Sequence, residues 1–323
     1  MKVVCLNLEQ QLIEIKKYVS FKNDKKIKSL LFEKGYYRIS RYAKYLHKVS
    51  VTEDKPSIEQ LIRLYELDKD LRLLFIKYIK DIEIKFRNSI AMYLVKTHPD
   101  NPSVYLEETI YTKSKGLFNS SHRKTAILQF PVFLKDIIEK ERKIRSSSSK
   151  IPDVGSFRKG GKYYREKLPV WTFFEHVDFG TVINIYEYLN GEARKKILIE
   201  SYGFSKPTKE TAFIFDDWMH SIRGVRNKCA HYNRIIGQSG TIIKLYSIEN
   251  DMLELESSTD LFSRIYSMCK IMDSKQLREF KEEFKRIVRK FEKTGQSAYE
   301  TNVLPSKWDV QFDIFSSVAC EEI

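Results

Sequence analysis

The sequence has few cysteines, and they are far apart. Cys5, Cys229, Cys269 and Cys320 are the four in 323 residues, and no two of them form a CxxC pair. No histidine cluster lies at zinc spacing either. The sequence therefore indicates neither a disulfide framework nor a structural zinc site, and we expect no metal and no cofactor.

Glycine, proline and long apolar runs are also scarce. Twelve Gly and eight Pro are low counts, while Lys, Glu, Leu and Ile abound, which favours a mostly helical protein. No run approaches the roughly 20 apolar residues of a membrane-spanning helix, and no signal-peptide core follows the N-terminus. The sequence predicts an all-α fold, a cytoplasmic location and no membrane partner.

Acidic residues are outnumbered by basic ones. The chain has 57 Lys and Arg against 43 Asp and Glu, a formal net charge of +14. A positive charge of this size favours nucleic acid or an anionic membrane as a partner and says nothing about the fold. Aromatic residues make up 13% of the chain and are interleaved with basic ones, which suits base stacking, although most belong in a core.

Apolar residues recur at helical spacing in most of the chain. Asn23 and Gly35 predict the start and end of one helix. Ser57 and Gln60 predict a capping box for a long helix that reaches His98, with one break allowed. The remaining predictions are helices over 131–145, 169–189, from 208 onward, over 260–272 and over 274–294, an irregular stretch over 99–130, and a short strand or extended linker over 241–248.

The segment 216–234 combines an apolar and a polar face on one predicted helix. The apolar stripe recurs at steps of three and four residues and consists of Phe215, Trp218, Ile222, Val225 and Cys229. The neighbouring polar stripe consists of Arg223, Asn227, His231 and Arg234. An arbitrary arginine and histidine at this spacing are most often only the solvated face of an amphipathic helix. The rest of the sequence decides between that interpretation and a functional one.

Three segments in a fixed order resemble one family. RNKCAHYNR (226–234) is similar to the R-x4-6-H motif of HEPN ribonucleases, LFEKGYYRISRY (31–42) to a GYYRLSGY signature, and LPVWTFFEHVDFGTVINIY (168–186) to a P-x-W…E…FG segment. Together they resemble the Abi-like (AbiD/AbiF) abortive-infection proteins of bacteria. LPSKWDVQF is similar to that family's closing F-P-x-x-W segment, so the resemblance spans roughly 8–310. Arg41 stands where the family usually has glycine.

The resemblance implies an HEPN-type helical bundle with additional N- and C-terminal helices. It also implies an endoribonuclease that acts as a growth-arresting toxin in phage defence, restrained until infection by a partner protein or a regulatory non-coding RNA. We accordingly predict an N-terminal helical region (1–50), a core carrying the motif (51–240) and a C-terminal extension (241–323), together forming one compact unit.

The residue types in the motif suit RNA cleavage without a metal. Attack of a ribose 2′-OH on the adjacent phosphate needs a base, an acid and positive charge beside the phosphorane oxygens. Histidine, with an ordinary pKa of about 6.5, can be acid or base, and arginine offers a fork of donors that matches phosphate. We therefore predict Arg226 and His231 as catalytic residues. Asn227, Arg223 and Arg234 are the predicted supporting residues.

One R-x4-H pair in each chain does not satisfy this chemistry. Positions five apart on a straight helix diverge by about 140°, so Arg226 and His231 of one chain converge poorly on one phosphate. One histidine also cannot be base and acid in the same step. Two copies of the helix across a two-fold axis bring two arginines and two histidines together. Because Arg87-Asn88 is followed by no histidine before His98, there is one motif in each chain, and we predict a homodimer.

The stretch 146–167 is rich in serine, glycine and positive charge. Its candidate RNA contacts are Lys150, Arg158, Lys159, Lys162 and Arg165. Tyr163 and Tyr164 beside these cations are typical of a single-stranded RNA contact. A solvated connector is the default interpretation of such a composition. Both interpretations stay open.

Other functions compete with the ribonuclease. In a non-catalytic RNA-binding protein of the same fold, Arg226 and His231 would only grip phosphate, and the complete set of Arg, Asn, His and Arg argues against it. A purely structural helical scaffold is disfavoured by the net charge and the polar stripe. His176 is an alternative catalytic candidate, although a hydrogen-bonded structural role is more common for such a histidine.

Overall fold

The computed structural model describes residues 5–50, 54–113, 120–147, 152–245 and 257–318, without the side chains of 120–126 and 152. Within these ranges the chain forms twelve α-helices and three short 3-10 helices, and its β pairings are two isolated bridges. The predicted all-α fold is confirmed.

The predicted helices at 24–32, 260–272 and 274–294 are confirmed within a residue or two of their ends. In chain order the helices are α1 (Leu8–Lys16), α2 (Asp24–Lys34), α3 (Tyr36–Val49), α4 (Ile58–Thr97), α5 (Ser120–Ser146), α6 (Val170–His176), α7 (Phe179–Tyr188), α8 (Gly191–Tyr202), α9 (Lys209–Ala230), α10 (Leu261–Ile271), α11 (Ser274–Glu292) and α12 (Trp308–Ile314). Residues 241–245 form neither helix nor strand, and 246–248 lie outside the described residues. No helix in the described ranges has both the length and the apolar character needed to cross a bilayer.

Local capping chemistry starts and ends several helices where the sequence predicts. Ser57 and Gln60 form the predicted capping box of α4, and Thr208 caps the motif helix α9 through Thr211. Gly35 ends α2 with a φ of 84°, a conformation that costs other residues more than glycine. An N-cap satisfies amides that the first turn leaves free and contributes about 1 kcal/mol.

α4 is the longest helix and has no break. Its 40 residues contain neither proline nor glycine, so nothing in the backbone chemistry interrupts it. At 1.5 Å per residue it is about 60 Å long, and it contacts α3, α6, α7, α8, α9 and α11. It is the element against which both the motif helix and the C-terminal helices pack.

α5 begins well before the predicted start at Pro131. The helix covers Ser120–Ser146 with the proline inside it, so the prediction of an irregular stretch over 99–130 is wrong for its last part. A proline usually ends or kinks a helix because it lacks an amide hydrogen and its ring meets a carbonyl of the preceding turn. Here Phe130 and Phe133 pack on two buried tyrosine rings. This tertiary packing supports the helix on both sides of the proline.

The single helix predicted over 169–189 is two helices. Val177 and Asp178 separate α6 from α7, and the Asp178 carboxylate accepts a hydrogen bond from an amide of the first turn of α7. Aspartate is among the preferred N-cap residues, but the apolar spacing continues across it and hides the break. The interruption leaves the Val177 carbonyl free to accept a hydrogen bond from Arg87.

The motif helix α9 is packed into the core along one face. All five residues of the predicted apolar stripe are buried, and the Trp218 indole N–H donates to the Lys244 carbonyl at 3.1 Å. The helix contacts α4, α7, α8 and α10. Full burial of each such side chain stabilises the fold by roughly 1.5–3 kcal/mol. The stripe therefore determines which face of α9 remains for the polar residues.

The C-terminal helices complete the same core. α11 lies along α4, where Phe280 contacts Phe75 and Tyr78, and α12 packs on α11 through Phe312. One hydrophobic cluster contains buried residues of all three predicted regions. The boundaries of those regions, 1–50, 51–240 and 241–323, stay a prediction.

Candidate functional site

The motif histidine stands where α9 ends and the chain turns away. His231 is the C-cap of the helix, and Tyr232 after it has a φ of 55°. The Asn233 amide donates to the Lys228 carbonyl at 2.8 Å, and the Tyr232 amide donates to the Cys229 carbonyl at 3.1 Å. These two bonds define a Schellman motif, whose left-handed position is usually occupied by glycine.

The turn leaves the His231 side chain open to solvent. His231 is exposed, and Tyr232 is 66% exposed beside it. Within the described part of the chain the imidazole forms no hydrogen bond. Both ring nitrogens are therefore available to a molecule that approaches the end of α9.

Glu83 of α4 holds the motif arginine. The Arg226 Nε donates to Glu83 Oε2 at 3.2 Å, and its Nη1 donates to Asn227 Oδ1 at 3.4 Å. The Arg226 side chain is 36% exposed, so the guanidinium is held on one side and open on the other. Nothing in the sequence pattern indicates Glu83 as the partner of Arg226, because the two residues are far apart in the chain and meet only where α4 and α9 pack.

Arg87 in turn holds Glu83. The two residues lie four apart on α4, and Arg87 Nη2 donates to Glu83 Oε1. The Arg87 Nη1 donates to the carbonyls of Phe174 and Val177 at the end of α6. Both members of the pair are buried, and a buried pair strongly destabilises a fold when one partner is removed. The orientation of Arg226 thus depends on the P-x-W…FG segment.

Arg223 of the polar stripe packs against the glycine of the same segment. A Cβ added to Gly180 would lie 3.0 Å from both Arg223 Nη1 and Asp178 Oδ1. That distance is too short for an undisturbed contact, so glycine at this position lets the guanidinium lie on the start of α7. The role predicted for Arg223, as a supporting residue of the catalytic pair, stays a prediction.

Arg234 binds α3 instead of facing the end of α9. Its Nη1 donates to the Arg41 carbonyl at 2.8 Å, and its guanidinium lies over the rings of Tyr45 at 4.7 Å and Tyr42 at 5.8 Å. Burial lowers the pKa of Arg234, and the nearby Arg41 lowers it further. These contacts join the motif to the GYYRISRY helix. The supporting role predicted for Arg234 stays a prediction.

A buried carboxylate fastens the segment that follows the motif. Asp68 of α4 accepts hydrogen bonds from the amides of Ile235 and Ile236, both at 2.9 Å, and from the Tyr42 hydroxyl at 2.7 Å. Arg72 pairs with it at 2.8 Å. Burial raises the pKa of Asp68, and these donors oppose that rise. In the sequence, the one indication of this role for Asp68 was that an acidic residue lies on the apolar stripe of α4.

The structure brings the three sequence landmarks together around α9. Arg226 and Asn227 are adjacent and partly open, while Arg223 and Arg234 hold the helix to α7 and α3. No contact in the described part of one chain joins Arg226 to His231. Among the described residues, no group of His, Cys, Asp and Glu is arranged to hold a metal ion.

The stretch 146–167, hereafter the basic segment, has cations exposed to solvent. Lys159, Lys162 and Arg165 are exposed, Arg158 is half-buried, and Lys150 lies outside the described residues. Tyr163 and Tyr164 are 37% and 43% exposed, and the Lys162 ammonium lies 5.1 Å from the centre of the Tyr163 ring. The segment therefore offers ring faces beside positive charge, as a single-stranded RNA contact requires.

His176 ties this segment to α6. Its Nε2 lies 2.8 Å from Asp153 Oδ2, which agrees with the hydrogen-bonded structural role predicted for this histidine. Asp153 stands at the start of the basic segment, and the same end of α6 provides the carbonyls that bind Arg87. A continuous set of contacts thus links the basic segment to Arg226.

In a comparison with protein families, residues 29–237 match the model described as Abi-like protein. The matched range contains the three landmarks but is shorter than the roughly 8–310 suggested by the resemblance. No curated protein and no solved structure matches the chain. Because the match covers more than half of the 323 residues, the chain belongs to the Abi-like protein family.

Proposed function

We propose that this protein is a metal-independent endoribonuclease of the HEPN type that arrests growth by cleaving RNA. Membership of the Abi-like family suggests a part in abortive-infection defence. The observation that carries the proposal is that both motif residues, Arg226 and His231, are accessible to solvent. Arg226 is oriented by Glu83 with part of its guanidinium open, and His231 is exposed and without a hydrogen bond in the described part of the chain.

The proposed reaction uses the RNA's own nucleophile. One His231 accepts the proton of a 2′-OH, the O2′–P bond forms, and the P–O5′ bond breaks. The products are a 2′,3′-cyclic phosphate and a 5′-OH, whose proton comes from a second histidine. Arg226 binds the non-bridging oxygens, where negative charge grows in the transition state. Asn227 accepts a hydrogen bond from Arg226, which supports a role in orienting the arginine.

A homodimer supplies the second histidine. The Arg226 guanidinium is tied to Glu83 on α4, whereas His231 lies beyond the last turn of α9. Because each chain has one motif histidine, it offers one half of the acid–base chemistry. A two-fold axis beside the end of α9 completes it.

The exposed cations of the basic segment are the proposed RNA contacts outside the cleavage site. Lys159, Lys162 and Arg165 flank two partly exposed tyrosines, and phosphate contacts of this kind make binding weaken steeply with salt. The same surface is where a restraining non-coding RNA would bind. Replacing the three cations by glutamine should flatten the salt dependence of RNA binding, and an unchanged slope would leave the segment as a solvated connector.

Cleavage by purified protein tests the proposal. Wild type should cut RNA in excess EDTA and leave 2′,3′-cyclic phosphate ends, and His231→Ala should lose the activity. His47→Ala is the matched control, because His47 is also exposed on a helix but outside the motif. If wild type binds RNA without cutting it, the protein is an RNA-binding member of the fold. If magnesium is needed to restore cleavage after EDTA, the metal-independent mechanism is wrong.

A further inference from the structure

A polar cavity lies close to the motif, beyond Arg234. This cleft is bordered by α3, the segment after α9, the start of α10 and residues 302–305. Its volume of about 640 Å³ falls within the range of small-molecule sites. Arg226, Asn227 and His231 are not among its lining residues, so it is separate from the proposed cleavage site.

Positive charge dominates the lining of this cleft. Arg41, Lys44 and Lys48 lie at successive turns along one face of α3, and Arg234 adds a fourth cation. Asp260 is the one acidic residue among the lining residues that the structure describes. Its carboxylate also caps α10 by accepting from the Ser263 amide. The described lining residues therefore carry more positive charge than their one carboxylate balances.

Two further cations, Lys228 and Arg264, lie next to the residues that line the cleft. The Lys228 ammonium donates to the Ser239 carbonyl at 3.3 Å. Burial, together with the positive charges of Arg264, Arg234 and Arg41, lowers the pKa of Lys228 to about 8. Arg264 is only 2% exposed, and its Nη1 has no hydrogen-bond partner among the described residues. Lys228 and Arg264 therefore add positive charge beside the cleft in a partly desolvated environment.

The backbone offers additional donors. Gly237, Gln238 and Ser239 line the cleft, and the amides of Gly237 and Ser239 donate no hydrogen bond to the described part of the chain. Gly237 has a φ of 63°, and a Cβ there would collide with the Tyr45 ring. The close approach of this turn to α3 is therefore possible only with glycine. Amides without an acceptor among the described residues, beside clustered cations, are a common arrangement for binding anions.

We propose that this cleft binds the phosphate groups of a nucleotide. A diphosphate or triphosphate concentrates several negative charges in the space between α3 and the turn at 237–239, and it can bond to lysine, arginine and amide donors together. A single carboxylate would leave most of the cations unbalanced. The Tyr45 ring carries Arg234 on one face, so recognition rests on the phosphates and the base makes a smaller contribution.

Calorimetric titration at low salt tests this proposal with three probes. Pyrophosphate and ATP should bind, and adenosine, which has no phosphate, should not. Changing Lys44 and Lys48 together to glutamate should weaken both affinities by about tenfold or more, since it reverses two charges that face the ligand. Both side chains are exposed on α3, and Lys48→Glu alone is the second variant if the pair disturbs folding.

Lys22→Glu with Lys25→Glu is the control. It makes the same change in net charge at two exposed lysines outside the cleft and should leave both affinities unchanged. Absence of binding by wild type, or an equal loss in the control, would overturn the proposal. Competition by 5′-hydroxyl RNA as strong as by 5′-phosphorylated RNA would assign the cleft to an RNA backbone instead of a nucleotide. These titrations do not depend on RNA cleavage, so they can fail or succeed independently of the ribonuclease.

Discussion

At the scale of single residues, Tyr232 adopts a strained backbone conformation in the turn that exposes His231. Its φ of 55° is the left-handed conformation, which costs a non-glycine residue about 1–2 kcal/mol. Tyr232→Gly should therefore raise the free energy of unfolding by up to about 1 kcal/mol, after allowance for the greater freedom of glycine in the unfolded chain. Urea denaturation measures the change.

Met92→Gly is the control for this prediction. Met92 is 69% exposed in α4, more than one turn before the helix ends at Thr97, and glycine there should destabilise by about 1 kcal/mol. The two glycine variants are thus expected to change stability in opposite directions. A loss at both positions would mean that the Tyr232 side chain contributes more contact energy than its backbone conformation costs.

Lys228 gives a pH dependence of stability. Its pKa in the folded protein is lowered to about 8 by burial and by Arg264, Arg234 and Arg41, against 10.5 in the unfolded chain. Between these values the unfolded chain binds more protons, so the Lys228 contribution to stability increases as the pH rises through 8. Cys229 is the one neighbour that raises this pKa.

Comparison with Lys228→Met isolates this contribution. The variant should be more stable than wild type at pH 7, by less than about 1 kcal/mol because Lys228 is partly solvated, and the difference should shrink by pH 9.5. Thermal melts of both proteins at the two pH values measure it. A difference independent of pH would show that Lys228 keeps an ordinary pKa.

At the scale of helices, Asp68 joins three elements. It binds Tyr42 of α3, Arg72 of α4 and the amides after α9. Asp68→Ala should lower the free energy of unfolding by about 3–5 kcal/mol, because it leaves a buried arginine without its partner. Chemical denaturation and hydrogen exchange of the Ile235 and Ile236 amides measure the loss and its location.

Asp70→Ala is the matched control on the same helix. Asp70 pairs with Lys290, which is 75% exposed, and such a surface pair contributes less than about 1 kcal/mol. Equal losses for the two variants would remove the special role assigned to Asp68. Faster exchange at the two isoleucine amides in Asp68→Ala alone would support it.

At the scale of the whole molecule, the proposed active site needs two chains. We predict a dimer of the 38.3 kDa chain in light scattering, and loss of cleavage for Arg226→Ala and for His231→Ala with the fold retained. In a heterodimer of these two variants, the remaining arginine and histidine lie on different chains. In a heterodimer of wild type with the double variant, both lie on one chain.

The two heterodimers should differ in activity. Each heterodimer retains one motif histidine, so both should cleave more slowly than wild type. If arginine and histidine act across the interface, the first should still cleave faster than the second. A second heterodimer that cleaves faster than the first would show that each chain acts alone. A monomer that cuts RNA at the full rate would also contradict the dimer, and the missing acid or base would then be sought at His176.

How far the sequence predicts the structure depends on the distance over which each interaction acts. The start of α4 follows from Ser57 and Gln60, and the apolar stripe of α9 follows from side-chain spacing alone. The continuation of α5 through Pro131 does not follow, because rings from other elements support it. Asp178 is an N-cap residue and therefore marks the break between α6 and α7, but the periodic apolar pattern concealed this signal.

The same distinction holds for the candidate site. The sequence by itself determined the all-α class, the family landmarks and the polar stripe of α9, since all of these are local in the chain. Only the tertiary structure decided which polar residues remain open. Arg226 is held by Glu83, and Arg234 turns to α3, because these contacts join residues more than a hundred positions apart. Such pairings depend on how the helices pack, and helical periodicity contains no information about them.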